Sequence, residues 1–356
     1  MKAVPSVIRA FAPGRVNILG NPTDGLEGAY AVISAAVAMR AQVVLRRGGG
    51  FRFSGEGLGF RKLAESALKV LARYFPECAE RVAGDPPDVE YGTEIPPESG
   101  LAGSTALVAA FMEALRCAYG FDRRRLNDYI LAELVQRAEE GAGVVCGYAD
   151  RYACVMGGLA YMDFRGKLYH RPLRREPLAT YERLDAYVDY LPVLICCLGV
   201  RRSSGEVHAR FRGAYMRELE KVRRGEGSEL VALMRKVGLT AVKGKYALLE
   251  QDWEELGRLM NLNHRLVDRA MRLAGFENGA GYYNNAVIEY ALRAGALGAK
   301  LSGAGGGGSV LVLAEPERER ELAEKLAGYM RGLGLAASRV YALEISKAGA
   351  EARPLE

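Results

Sequence analysis

The sequence predicts an α+β protein of two lobes, and three observations carry that prediction. Its 356 residues exceed one compact domain and suit two lobes with a cleft between them. Strand-like and helix-like patterns are mixed along the chain. A glycine-rich segment stands in each half, and a buried-strand pattern near Tyr190 starts a second unit. The expected division is 1–188 and 189–356.

In the first lobe, Val7 to Ala12 alternates weakly and Ala29 to Leu45 is rich in alanine and valine, so both read as strands around a polar loop, Pro13 to Gly28. Arg46 to Gly50 reads as a turn. Arg61 to Phe75 has apolar residues at helical spacing, and Asp85-Pro86-Pro87-Asp88 ends that region. Val89 to Ile95 is a short strand, Pro96 to Gly103 a loop and Ser104 to Tyr119 a helix. Asn127 to Glu140 is a further helix, and Gly141 to Gly158 an irregular stretch leading into a strand, Leu159 to Phe164.

The second lobe opens with the strand Val193 to Leu198. Helices follow over Glu206 to Arg224, Glu229 to Leu249, Trp253 to Ala274 and Asn284 to Ala294. Lys300 to Leu313 is a glycine run entering a strand, Glu315 to Leu333 a charged amphipathic helix, and Val340 to Ile345 closes the sheet.

Composition narrows the function. With 49% hydrophobic and 26% charged residues the chain can build a core and is not disordered. The net charge of +6 is modest, and arginines alternate with glutamates in 317–321, the pattern of a solvated helix face and not of a nucleic-acid surface. A mild positive bias suits an anionic small ligand. Six cysteines lack CxxC or CxxH spacing and read as small core residues. The three histidines show no ligand spacing. No apolar run approaches the ~18 residues of a membrane span, so a cytoplasmic monomer or homodimer is expected.

Pro96 to Ala106 sets Ala102, Gly103 and Ser104 just before a helix, so backbone N–H groups can approach an anion and the helix dipole adds to their pull. Pro97, Ser99, Gly100, Leu101, Ala102, Gly103, Ser104 and Thr105 are the candidate phosphate-binding residues, and a hydroxyl at Ser104 or Thr105 suits Mg²⁺. Taken alone, a glycine turn with a serine N-cap fits equally well. The segment lacks the lysine of a P-loop. Gly303-Ala304-Gly305-Gly306-Gly307-Gly308 has almost no side-chain volume, which close approach of backbone to a ligand explains; a flexible turn is the alternative.

Asp150 lies among glycines beside Arg151, where a carboxylate can orient or deprotonate a hydroxyl; a structural Asp–Arg pair is the alternative. Glu139, near a helix end, is a candidate for the same metal. Arg15, among apolar neighbours, needs an anionic partner and can stabilise charge but not act as a base. Asp24 suits substrate hydroxyls or an Asx turn.

Pro13-Gly14-Arg15-Val16-Asn17-Ile18-Leu19-Gly20, Gly100-Leu101-Ala102-Gly103-Ser104-Thr105-Ala106 and Lys300-Leu301-Ser302-Gly303-Ala304-Gly305-Gly306-Gly307 together resemble the three ordered motifs of the GHMP kinases. The resemblance implies an N-terminal lobe with a left-handed βαβ unit and a ferredoxin-like C-terminal lobe, with ATP and a small-molecule substrate between them. It implies that Gly100 to Ala106 holds phosphates, that Ser104 and Glu139 hold Mg²⁺, that Asp150 is the catalytic carboxylate paired with Arg15, and that Gly303 to Gly307, with Gly303 and Gly305 toward substrate, forms the site floor.

Asn21 and Asp24 within Gly20-Asn21-Pro22-Thr23-Asp24, together with Ala149-Asp150-Arg151, Ser204-Gly205-Glu206-Val207-His208 and Asn261-Leu262-Asn263, are similar to the glucuronokinase group. That likeness implies glucuronate as acceptor at its anomeric hydroxyl, with Arg151, Arg201 and Arg202 as candidates for its carboxylate. Another small acceptor (a neutral sugar, a heptose derivative, inositol or a mevalonate-type acid) stays open, as does a ligand-sensing protein of the same fold.

Overall fold

Strand β1 (Val7–Leu19) pairs antiparallel with β2 (Ala31–Arg46), and its buried positions pack into the core of the first lobe. The computed structural model describes residues 6–55, 59–145, 147–167, 173, 178–200 and 204–355. The expected loop from Pro13 is strand as far as Leu19. Register shifts at Pro13/Gly14 and Asn17/Leu19 let the strand absorb residues that read as loop formers. Only Thr23–Gly25 forms a 3₁₀ turn beyond it.

β3 (Phe53–Gly55), β4 (Asp88–Thr93), β5 (Leu159–Asp163) and β6 (Thr180–Arg183) complete the first lobe's strands. β3 and β4 run parallel, joined through α1 (Phe60–Tyr74) and α2 (Pro76–Gly84), a βαβ crossover. α3 (Gly103–Ala118) and α4 (Asp128–Gly141) follow. α3 is buried almost all round, as its alanine-rich sequence allows, and packs on β1 and β2. The stretch expected to be irregular contains α5 (Ala149–Met156), buried from Ala149 through Val155 and so without the one-sided period that reveals a helix in sequence.

The second sheet consists of β7 (Val193–Cys197), β8 (Gly298–Leu301), β9 (Ser309–Leu313) and β10 (Arg339–Ala342), in the order β10-β7-β9-β8 with every pair antiparallel. α6 (Ser204–Arg223), α7 (Glu229–Leu249), α8 (Trp253–Leu273) and α9 (Tyr282–Arg293) lie between β7 and β8, and α10 (Glu319–Gly332) precedes β10. That order is the ferredoxin-like arrangement.

The expected division at 188/189 falls between β6 and β7, but the chain returns across it. β11 (Glu351–Pro354) pairs with β1 at the edge of the first sheet. Apolar side chains of both sheets form the main cores, and Leu26, Phe211, Met234 and Val267 fill a third beneath α6–α8. Of the described cysteines, Cys78, Cys154, Cys196 and Cys197 are buried and Cys117 is half-buried; Cys146 lies outside the described residues.

Candidate active site

The N-terminus of α3 carries no side-chain cap, and Ala102 before it adopts a left-handed conformation at φ 64°. The first amides of a helix have no intrahelical acceptor, so they face outward with the positive end of the dipole. Gly100 at φ 73° turns the chain into this position. Ser99 is 5% exposed, and its Oγ is buried with no hydrogen-bond partner. Uncapped amides and an orphaned hydroxyl are the features an oxyanion group would satisfy.

In the first turn of α3, the side chains of Ser104 and Thr105 reach to α4. Ser104 Oγ donates to Glu139 Oε1 at 2.9 Å, and Thr105 Oγ1 donates to Glu139 Oε2 at 2.9 Å. Ser104 is exposed whereas Thr105 is buried, so of these two hydroxyls Ser104 is the one open to a ligand. Glu139 is fully buried and also paired with Arg151.

β1 delivers Arg15 and the start of α5 delivers Asp150. The guanidinium grips both carboxylate oxygens of Asp150, its Nε meeting Oδ1 at 2.5 Å. The same arginine donates from Nη1 to the Gly100 carbonyl at 2.5 Å, and its backbone N–H donates to the Leu101 carbonyl at 3.0 Å. Arg15 thus links the carboxylate to the phosphate-loop candidate. Burial pushes the Asp150 carboxyl up, but Arg15 and then Arg151 outweigh it and hold the group below the usual carboxylate range.

Arg151 departs from expectation. It is fully buried, paired with Glu139 and donating to the Gly147 carbonyl at 2.6 Å, with Nη1 3.8 Å from Asp150. Its charge therefore supports the two acidic residues from behind and is not presented to a substrate carboxylate, because an uncompensated buried carboxylate is costly. Arg201 and Arg202 lie outside the described residues.

On the opposite side, Asn21 Nδ2 donates to the Ser302 carbonyl at 3.0 Å and more weakly to that of Gly303 at 3.4 Å. Asp24 accepts the Ala149 backbone N–H at 2.9 Å, so it holds the start of the helix that carries Asp150. Burial, then the neighbouring Asp150 charge, raises the Asp24 carboxyl to about 6. A Cβ at Gly147 would lie 1.8 Å from Asp24 Oδ2, so a larger residue there would displace the Asp24 carboxylate.

A Cβ on Gly303 would lie 3.6 Å from the Gly100 Cα and one on Gly308 3.4 Å from the Ser99 carbonyl oxygen, so the glycine runs of the two lobes face each other closely. Ser309 Oγ donates to the Ser99 carbonyl. Gly305 at φ 81° has no room for a side chain, as a Cβ would lie 2.5 Å from the Ala280 carbonyl oxygen.

Sequence reasoning did not single out Lys300, Asn263, Asn284 or Ser309 as individual residues of this region. Asn263 Oδ1 accepts the Gly20 N–H at 2.7 Å, and Asn284 makes a pair of hydrogen bonds with Gly307, at 2.8 and 3.0 Å. A signal existed in each case: a polar residue within an apolar run or on the buried stripe of a helix needs an internal partner.

Two lobes with the ferredoxin-like order in the second, an uncapped helix at the cleft and a buried Arg–Asp pair beside it suit a small-molecule phosphotransferase. Residues 62–158 match the GHMP kinases N terminal domain and residues 245–332 match the GHMP kinases C terminal domain, so the chain belongs to the GHMP kinases, which are ATP-dependent. It is similar to Glucuronokinase 1 of Arabidopsis thaliana, 32% identical over 281 residues covering 77% of this chain and 71% of that one. It is also similar to a mevalonate kinase of Methanothermobacter thermautotrophicus, 29% identical over 85% of this chain and 88% of the relative. The fold matches the crystal structure of Lactococcus lactis galactokinase complexed with galactose, at a TM-score of 0.72 and 18% identity over 99% of this chain and 96% of that one. Among the described residues no helix is long and apolar enough to cross a membrane.

Proposed function

We propose that this kinase transfers the γ-phosphoryl group of MgATP to the anomeric hydroxyl of a sugar acid, glucuronate. The observation that carries the kinase chemistry is the grip of Arg15 on both Asp150 and the Gly100 carbonyl, which joins a buried carboxylate to the uncapped start of α3. The similarity to Glucuronokinase 1 supports the choice of acceptor.

In this reading Gly103, Ser104 and Thr105 offer backbone N–H groups to phosphate oxygens, with Ser99 Oγ as a further donor. Ser104 Oγ and Glu139 Oε1, 2.9 Å apart, are hard oxygen donors of the kind Mg²⁺ takes, and they would hold it. When bound, the metal neutralises charge on the transferring group. Asp150 accepts a hydrogen bond from the acceptor hydroxyl, orients it and takes its proton late, which suffices because the transition state of phosphoryl transfer is loose. Arg15 keeps Asp150 ionised and adds positive charge. Asn21, Asp24 and the Gly303–Gly305 backbone lie on the acceptor side.

A second reading has its own support. The similarity to a mevalonate kinase over 85% of this chain supports a mevalonate-type acid as the acceptor instead. A coupled assay of ADP release across sugars, sugar acids and mevalonate separates the readings. Glucuronate is expected to give the highest kcat/KM; turnover of mevalonate without turnover of glucuronate selects the second reading. Absence of turnover with every acceptor would leave a ligand-sensing role.

A further inference from the structure

Lys300 is fully buried at the end of β8, beneath the seam where the two lobes meet. Its Nζ donates to the Asn17 carbonyl at 2.9 Å, to Asn21 Oδ1 at 2.7 Å and to the Leu301 carbonyl at 2.5 Å. An ammonium has three N–H donors, and here each has an acceptor. Burial, and then the charge of Arg15, lowers its affinity for a proton, so the cluster of acceptors is what opposes loss of its charge.

Those acceptors belong to different segments. Asn17 is in β1 of the first lobe, two residues from Arg15; Asn21 leads into the Thr23–Gly25 turn; Leu301 leads into the glycine run. Asn21 closes the circuit by donating to the carbonyls of Ser302 and Gly303. Ser302 Oγ accepts the Asn17 N–H at 3.3 Å, a further and longer link across the seam.

We infer that Lys300 is a positioning residue, a hydrogen-bonding latch that sets the Asn21–Gly25 segment of one lobe against the Ser302–Gly308 loop of the other and so shapes the acceptor side of the cleft. A well-packed neutral side chain would fill the same volume, but it would leave the Asn17 and Leu301 carbonyls and Asn21 Oδ1 without their donor. The kinetic part of this inference rests on the proposed kinase reading; the latch itself does not.

The test combines amide hydrogen exchange with kinetics on Lys300→Met and Asn21→Ala. In both variants, exchange in 302–308 and 20–24 should quicken about 10-fold while exchange in α3 stays within twofold. Where turnover is measured, Lys300→Met should raise the KM for the acceptor about 10-fold with the Kd for ADP, from calorimetry, within twofold. Unchanged exchange in both segments overturns the inference, as does equal acceleration throughout the chain, which would mark Lys300 as general fold support. A rise in the Kd for ADP matching the rise in KM also overturns it. If wild type phosphorylates no acceptor, the kinase reading fails, and the exchange data still decide on the latch. If Lys300→Met does not fold, Asn21→Ala decides by the same criteria.

Discussion

Two segments of this chain carry nearly the same sequence signal, small residues and glycines beside a regular element, and the structure uses them in opposite ways. Pro97 to Thr105 leads into α3 with no side-chain cap and leaves the Ser99 hydroxyl without a partner. Gly303 to Gly308 is anchored at several points, most closely from Gly306 to Gly308. Gly306 N–H donates to Ala280 at 2.5 Å, Gly307 is bonded in both directions to Asn284, and the Gly308 carbonyl accepts from Leu198 at 2.9 Å. The first has donors to offer to a ligand, whereas the second forms a wall with its Gly306–Gly308 end already engaged. Glycine richness alone therefore does not mark a phosphate cradle; what marks it is the balance of satisfied and unsatisfied backbone groups.

The largest expected effect separates binding from chemistry. Asp150→Asn should lower kcat about 100- to 10,000-fold while calorimetry finds the Kd for ADP within twofold, because in the proposed reading the α3 end holds phosphate without help from Asp150. A kcat near wild type removes Asp150 from the mechanism.

Next comes Asp24, which stands between the two segments with one oxygen on Ala149. Its carboxyl binds a proton more tightly folded, at about 6, than at its ordinary 3.8, so its contribution to stability is full below pH 3.8 and is lost as pH rises through 6. Asn keeps an oxygen for the Ala149 N–H and does not ionise. Asp24→Asn should therefore gain stability relative to wild type as pH rises from 4 to 7, by up to about 3 kcal/mol. Urea midpoints at pH 4, 5.5 and 7 measure this, and a gain that does not vary with pH contradicts the buried carboxylate.

Gly305→Ala tests the wall. Forcing a Cβ at φ 81° and 2.5 Å from the Ala280 oxygen should destabilise the protein by about 2 kcal/mol, seen as a lower Tm. Gly103→Ala is the counterpart and the smallest change in stability. Its Cβ would meet Ile95 at an ordinary 3.5 Å, so stability should move by less than about 0.5 kcal/mol while the Kd for ADP rises several-fold. If Gly103→Ala lowers Tm as much as Gly305→Ala, the contrast between the two loops fails.

Legibility in the sequence followed the same line of physical cause. α4, α7 and α8 were readable because each repeats apolar residues on one side, and their boundaries fall within a few residues of expectation. α5 was not, since a short helix buried nearly all round has no polar face to set its period. β1 read as a loop beyond Ala12 because proline and glycine suggest turns, whereas β2 accommodates them through register shifts. β11 is short and pairs with a strand more than three hundred residues earlier, a contact that local pattern does not reveal.

At the site, the chemistry of the residues was visible one segment at a time. The small residues before α3, an acid at 150, an arginine among apolar neighbours and a glycine run before β9 are properties of the chain itself. Which groups meet is a property of the fold. Arg15 reaches Asp150 across 135 residues, Lys300 reaches Asn21 across 279, and Arg151 is buried against Glu139. Sequence determined which side chains can carry charge, donate protons or leave room for a ligand, because those are local covalent facts. Only the tertiary structure decided which of them are paired and which are left open, because burial removes water and obliges each polar group to find a partner wherever the fold has brought one.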